Sequence, residues 1–170
     1  MTTVTEQLVK HIDEAYAMEQ NVLRMLDRMI ETSEDPAMKQ HLQQHKHETE
    51  QQAVRLKTRL EAHDASPSMV KEATGIVGAL MKGVLDMARG EKAGRNARDG
   101  FATEHMEIAS YELLERVARR AGDEETAQVA RVNRLEEEAM AEKIAQSWDK
   151  AAELSLREAG VEGTAPATSS

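Results

Sequence analysis

The sequence predicts an all-α protein folded as an antiparallel four-helix bundle. Three observations carry this. The chain favours Ala, Leu, Met, Glu, Gln, Lys and Arg, which lose least on entering a helix. One Trp, two Tyr, one Phe and three Pro are too few aromatic and turn residues for a β fold. Apolar residues recur at alternating three- and four-residue steps, the seam of packed helices, and two short polar breaks join these segments into pairs.

The first helix is expected from about Thr5 to Ser33, with Leu8, Ile12, Ala15, Val22, Leu26 and Met29 on its seam. One slot of that series holds Glu19 instead of an apolar residue. Ser33-Glu34-Asp35-Pro36 ends it, and Asp35 with Pro36 reads as the N-cap and first turn of the next helix. That second helix should run to about Ala62, on a seam of Met38, Leu42, Leu56 and Leu60. Its middle puts His45, Glu48, Thr49 and Gln52 where apolar residues belong. The connection is short, so the two helices are antiparallel neighbours.

Residues 63–98 read as a long crossover containing a weaker helix from about Ser68 to Ala88, followed by a polar, glycine-containing stretch. A third helix is expected from about Asp99 to Ala121, with Phe101, Ile108, Tyr111, Leu114 and Val117 inward. Gly122 and Asp123 supply a helix stop and a new N-cap. The fourth helix should continue from about Glu124 to Leu156, carrying Ala130, Glu137, Met140, Ile144 and Trp148 on its inner line. Met25, Met29, Met81, Met87 and Met106 stand at helical spacings and read as core filler. A bundle over residues 1–158 and a disordered polar tail over 159–170 complete the organisation. A hairpin, a long crossover and a second hairpin make the connectivity ferritin-like.

With 170 residues the chain has the size of one domain. It has no cysteine, which removes disulfides, thiolate metal sites and cysteine nucleophiles. The N-terminus lacks the basic start and apolar run of a signal peptide, and no window approaches the ~18 apolar residues of a membrane span. A cytoplasmic protein without membrane contact is expected. Net charge of −9 argues against sequence-independent nucleic-acid binding and suits a chain that attracts cations. No glycine-rich phosphate loop or hydrolase nucleophile motif is present.

Position singles out a few of the 31 acidic residues. Glu19 and Glu48 each lie about 15 residues from the first turn, and Glu107 and Glu137 about 15 from the second, so all four sit roughly 20–22 Å along the bundle. The crossover places the two turns at opposite ends, and the two levels coincide near the middle. Four carboxylates brought together would repel and lose hydration, and two divalent cations would neutralise them. His45 lies one helical turn from Glu48, and Glu104 one turn from Glu107, as further ligands. The predicted metal ligands are therefore Glu19, His45, Glu48, Glu104, Glu107 and Glu137, for two iron or manganese ions. Each has a plainer alternative as a salt-bridged core or solvated residue, above all Glu137, which lies in a run of three glutamates. His105 and Gln51 point less well toward the same level. Tyr16 and Tyr111 read as core packing or as hydrogen-bond donors behind the ligands.

Several motifs resemble a known family. AYAMEQ around Glu19, HxxET at 45–49 followed by Gln52, and above all EHMEIASYELL at 104–114 are similar to the YciF/YciE family of ferritin-like bacterial stress proteins. GDEETA at 122–127 and LEEEAMAEKI at 135–144 extend the resemblance over roughly residues 5–150. It implies a metal-binding helical bundle, a homodimer and a link to stress. The sequence departs from the Glu-x-x-His pattern of many ferritin-like sites. Gln51 follows Glu48 and Met140 follows Glu137 at that spacing, and a histidine precedes the glutamate as His45. Fewer nitrogen ligands are expected.

The expected function is that of a dinuclear carboxylate protein acting on peroxide or oxygen. It would be a peroxidase- or catalase-like or ferroxidase oxidoreductase, in stress protection rather than bulk storage. The alternative is a non-enzymatic dimeric stress protein whose metal is structural or absent.

Overall fold

The computed structural model describes residues 1–68 and 93–161. Among them are five helices and no strand: α1 Val4–Thr32, α2 Pro36–Ala62, α3 Ala93–Ala121, α4 Glu124–Ala145 and α5 Trp148–Glu158. The protein is all-α, as its composition predicts. No described helix is long and apolar enough to cross a membrane.

Local chemistry sets the helix ends. Thr3 and Glu6 form a reciprocal capping box that starts α1. Asp35 Oδ1 accepts from the Met38 amide at 2.9 Å, with Pro36 in the first turn of α2. Gly122 ends α3 at φ 75°, a conformation costly for any residue with a Cβ. The Gly122 and Asp123 amides bond back to Arg119 and Ala118. Asp123 then caps α4 by accepting from the Thr126 amide at 2.9 Å.

The four long helices pack each against two others: α1 on α2 and α3, and α4 on α2 and α3. Side-chain pairs give the directions. Glu19 meets Tyr111 and Met25 meets Thr103, Gln52 meets Glu137 and Arg59 meets Thr126, and the short turns at 33–35 and 122–123 fold α2 back on α1 and α4 back on α3. Contacting neighbours are therefore antiparallel, and α2 and α3 run parallel.

A polar layer divides the core. On one side lie Leu8, Ile12, Ala15, Leu56, Leu60, Tyr111, Leu114 and Ala130. On the other lie Val22, Met25, Leu26, Met29 and Leu42. Between them, Glu19, His45, Glu104, Glu107 and Glu137 are all buried.

Two helix boundaries differ from expectation. Among the described residues α3 is already helical at Ala93, six residues before the expected Asp99, and Gly94 serves close packing and not a turn. A Cβ there would lie 3.0 Å from Ser155 Oγ of α5. The expected single fourth helix divides into α4 and α5. At the junction Ser147 drifts to φ −102°, ψ 4°, and its hydroxyl bonds the Ile144 carbonyl at 2.8 Å. Trp148 consequently leaves the inner line and sits half-exposed, edge-on to Phe101. On α3 the most buried line is Thr103, Glu104, Glu107, Tyr111, Leu114 and Ala118, with Phe101, Ile108 and Val117 half-buried on its flanks. Met25 and Met29 are core residues and Met106 is half-buried. Apart from Ser68, the expected crossover helix, with Met81 and Met87, lies outside the described residues, as does the tail beyond Val161.

Candidate metal centre

Each long helix delivers at least one chemically active side chain to the polar layer: Glu19 from α1, His45 from α2, Glu104 and Glu107 from α3, and Glu137 from α4. They form two triads, His45–Glu104–Glu137 and Glu19–Glu107–Glu137, within each of which one ligand atom per residue lies within 4.8 Å of the others. Glu137 belongs to both, so the triads are adjacent halves of one cluster.

The halves differ. The first offers one imidazole and two carboxylates, with His45 Nε2 3.2 Å from Glu104 Oε1. The second offers carboxylates alone. Behind it, the Tyr111 hydroxyl donates to Glu19 Oε1 and accepts from Asn133 Nδ2 at 3.0 Å. Tyr111 is thus both core residue and carboxylate anchor. Gln52 Nε2 donates to Glu137 Oε1, and also to Glu136 Oε2 at 3.1 Å. Arg55 in turn holds Glu136 through two bonds of 2.7 and 2.9 Å.

Glu48 stands outside both triads. Its side chain is 32% exposed, with Oε2 3.8 Å from His45 Nδ1 and Oε1 accepting from Gln44. The inward line of α2 runs through Leu42, His45, Thr49, Gln52 and Leu56. At ~100° per residue, position 48 falls roughly 90° from the middle of that line. Glu48 therefore lies beside the cluster, next to His45. Gln51 is exposed, and so is His105, whose ring contacts Phe101.

The polar atoms are chemically unsatisfied. Glu19 Oε2, Glu104 Oε2, Glu137 Oε2, both carboxylate oxygens of Glu107 and both ring nitrogens of His45 are buried without a hydrogen-bond partner. The His45–Glu104 approach is close but not aligned as a hydrogen bond. Such atoms are costly to bury unless something binds them. Burial, then the neighbouring carboxylates, raise Glu19 and Glu107 well above the ordinary carboxyl range. Burial likewise lifts Glu104 to about 7, while Glu137 rises to about 9 through burial and its contact with Glu104. The cluster must take up protons or cations, and its donor set fits a divalent cation in each half.

Sequence reasoning missed the supporting roles of Gln52, Arg55 and Asn133. Gln52 and Asn133 occupy buried seam positions on α2 and α4. A polar residue on an apolar line was the available signal. Which carboxylate each would meet depends on the facing helix.

The fold and the cluster define an all-helical protein with a buried histidine–carboxylate centre between its helices. A family described as a domain of unknown function, DUF892, matches residues 3–157, and the chain belongs to that family. A solved structure of a Xanthomonas campestris pv. campestris protein is similar, with a TM-score of 0.80 and 30% identity over 93% of this chain and 99% of that one. YcfI from Rhodopseudomonas palustris matches with a TM-score of 0.76 and 26% identity over 85% of this chain and 94% of its own. The Escherichia coli stress protein YciF shares the fold, with a TM-score of 0.77 and 19% identity over 90% of this chain and 99% of its own. The family match and this shared fold bear out the resemblance carried by the sequence motifs.

Proposed function

We propose that the chain is a ferritin-like four-helix bundle holding two iron or manganese ions and reacting with peroxide or oxygen in stress protection. The observation that carries this reading is the set of seven buried ligand atoms without partners, arranged as two triads that share Glu137. Glu19 and Glu107 would hold one ion, His45 and Glu104 the other, and Glu137 both, with Glu48 beside His45 as an additional ligand. A mixture of imidazole and carboxylate suits iron or manganese. The two ions would supply redox capacity, each passing between its divalent and trivalent states. Together they would supply the two electrons that, with two protons, convert a peroxide R–O–O–H into R–OH and water.

The protein's own residues would position this chemistry. Tyr111 with Asn133 fixes Glu19, and Gln52 with Arg55 and Glu136 fixes Glu137. The apolar layer around Leu8, Ile12, Leu56 and Leu60 closes one end of the cluster. The same reading includes a homodimer, which the resemblance to the YciF/YciE family implies.

The test is metal analysis of protein purified without chelators, followed by peroxide consumption. Two iron or manganese ions per chain and consumption abolished by Glu107→Gln are expected. Bound metal without peroxide or oxygen chemistry would leave a structural metal instead. Failure to take up either metal would overturn the reading.

A further inference from the structure

A cavity of about 240 Å³ reaches the His45–Glu104 half of the cluster and not the Glu19–Glu107 half. Its outer end is formed by the α1–α2 turn at Glu34 and Asp35 and by Arg157 and Glu158 of α5. Its walls are mostly apolar, with Met25, Met29, Met38, Leu42, Met140 and Ile144 among them. Methionines make such a wall adaptable in shape. At the inner end stand His45 and Glu104, with both imidazole nitrogens and Glu104 Oε2 buried and unpartnered.

Hydrogen peroxide needs no apolar chamber. At about 30 Å³ per water-sized group, the cavity holds roughly eight such groups. That space suits an apolar body carrying one small polar end. The polar end should be uncharged, because the four carboxylates and the two divalent ions proposed for the cluster neutralise one another, and the cavity's one lysine or arginine among the described residues is Arg157, at its outer end.

We propose that this cavity is the binding site for an organic hydroperoxide, with its apolar part among the methionines and its –OOH end against His45 and Glu104. This rests on the proposed peroxide chemistry and narrows its substrate. In a single reduction the O–O bond would break, and two electrons supplied by the divalent ions, with two protons, would give the alcohol and water. The alcohol has the same apolar body and remains in reach of the same walls.

Binding and turnover separate the possibilities. The metal-free chain is titrated with 2-phenyl-2-propanol, the unreactive alcohol of cumene hydroperoxide, and its melting temperature is followed. A saturable rise is expected. Met38→Trp and Ile144→Trp, each enlarging a half-buried cavity wall, should abolish that rise while circular dichroism shows the fold retained. The divalent-metal-loaded chain is then mixed anaerobically with cumene hydroperoxide or hydrogen peroxide, and the first turnover is timed. The ratio of the organic to the hydrogen peroxide rate should fall at least about tenfold in both variants. A chain that consumes hydrogen peroxide but is indifferent to both cumene compounds overturns the substrate assignment and leaves the proposed function standing. A loaded chain that consumes neither peroxide overturns both.

Discussion

The Tyr111 hydroxyl donates to Glu19 Oε1 across the α1–α3 interface and accepts from Asn133 Nδ2 at 3.0 Å, so three helices converge on one phenol oxygen. Burial, with Glu19 beside it, pushes the phenol well above its ordinary range and keeps it a donor. Tyr111→Phe preserves the ring in the core and deletes both bonds. The expected loss is about 1–3 kcal/mol of metal-free stability and about 10–100-fold in metal affinity. Thermal melts and calorimetric titration with Fe²⁺ or Mn²⁺ check each. An unchanged affinity would make Tyr111 a packing residue alone.

Glu107 differs from Glu19 in having no hydrogen-bond partner on either oxygen. Glu107→Leu should therefore stabilise the metal-free chain, by roughly 1–3 kcal/mol, the usual cost of burying a polar group without a hydrogen bond. Metal content should fall at the same time. Urea unfolding of the chelator-treated proteins gives the comparison, and a marked destabilisation would contradict the unsatisfied state of this carboxylate.

Glu48 lies beside the cluster, with its side chain 32% exposed. Glu48→Gln should leave two metal ions bound, whereas Glu107→Gln should not. Metal stoichiometry of the two variants, purified side by side, decides whether Glu48 is an essential ligand.

The buried carboxyls also set a pH dependence. In the unfolded chain they release protons near the ordinary 4.5, but the folded, metal-free chain retains them to about 7 at Glu104 and about 9 at Glu137. Above 4.5 the unfolded state binds fewer protons, so stability falls as pH rises through this window. The melting temperature of metal-free protein should drop between about pH 5 and about pH 8. Bound metal should flatten that slope by replacing the protons.

Asp123 acts in the opposite direction. Burial alone would raise its carboxyl. Hydrogen bonds from Thr126, His63 and Arg59 outweigh that and hold it well below the usual range. Its contribution is present above the unfolded value near 3.8 and is lost as pH falls through the lower folded value. Asp123→Ala should cost about 0.5–2 kcal/mol through the lost cap alone. The difference from wild type should shrink in acid, as denaturant unfolding at a series of pH values would show.

Much of this molecule was legible in one dimension. Asp35-Pro36 and Gly122-Asp123 mark real helix boundaries because caps and left-handed turns are local chemistry, complete within a few residues. Glu19, Glu107 and Glu137 stand out because each is a carboxylate on an otherwise apolar line. Tertiary packing decided the rest. Whether Glu48 or Gln52 faces inward depends on how α2 is rotated against its neighbours, and Leu42, Ala53, Leu56 and Leu60 together outweigh one carboxylate. The close approach of Ser155 to Gly94, sixty-one positions apart, sits in a stretch that reads as a polar break in the sequence and is helical in α3. The pairing of Tyr111 with Glu19, and the cavity that ends at His45, exist only where helices distant in sequence meet. The sequence by itself marked the caps at Asp35 and Asp123 and the polar side chains that stand on apolar lines. The choice among those side chains came from close packing, which admits one rotation of each helix and so settles every side chain on that helix together.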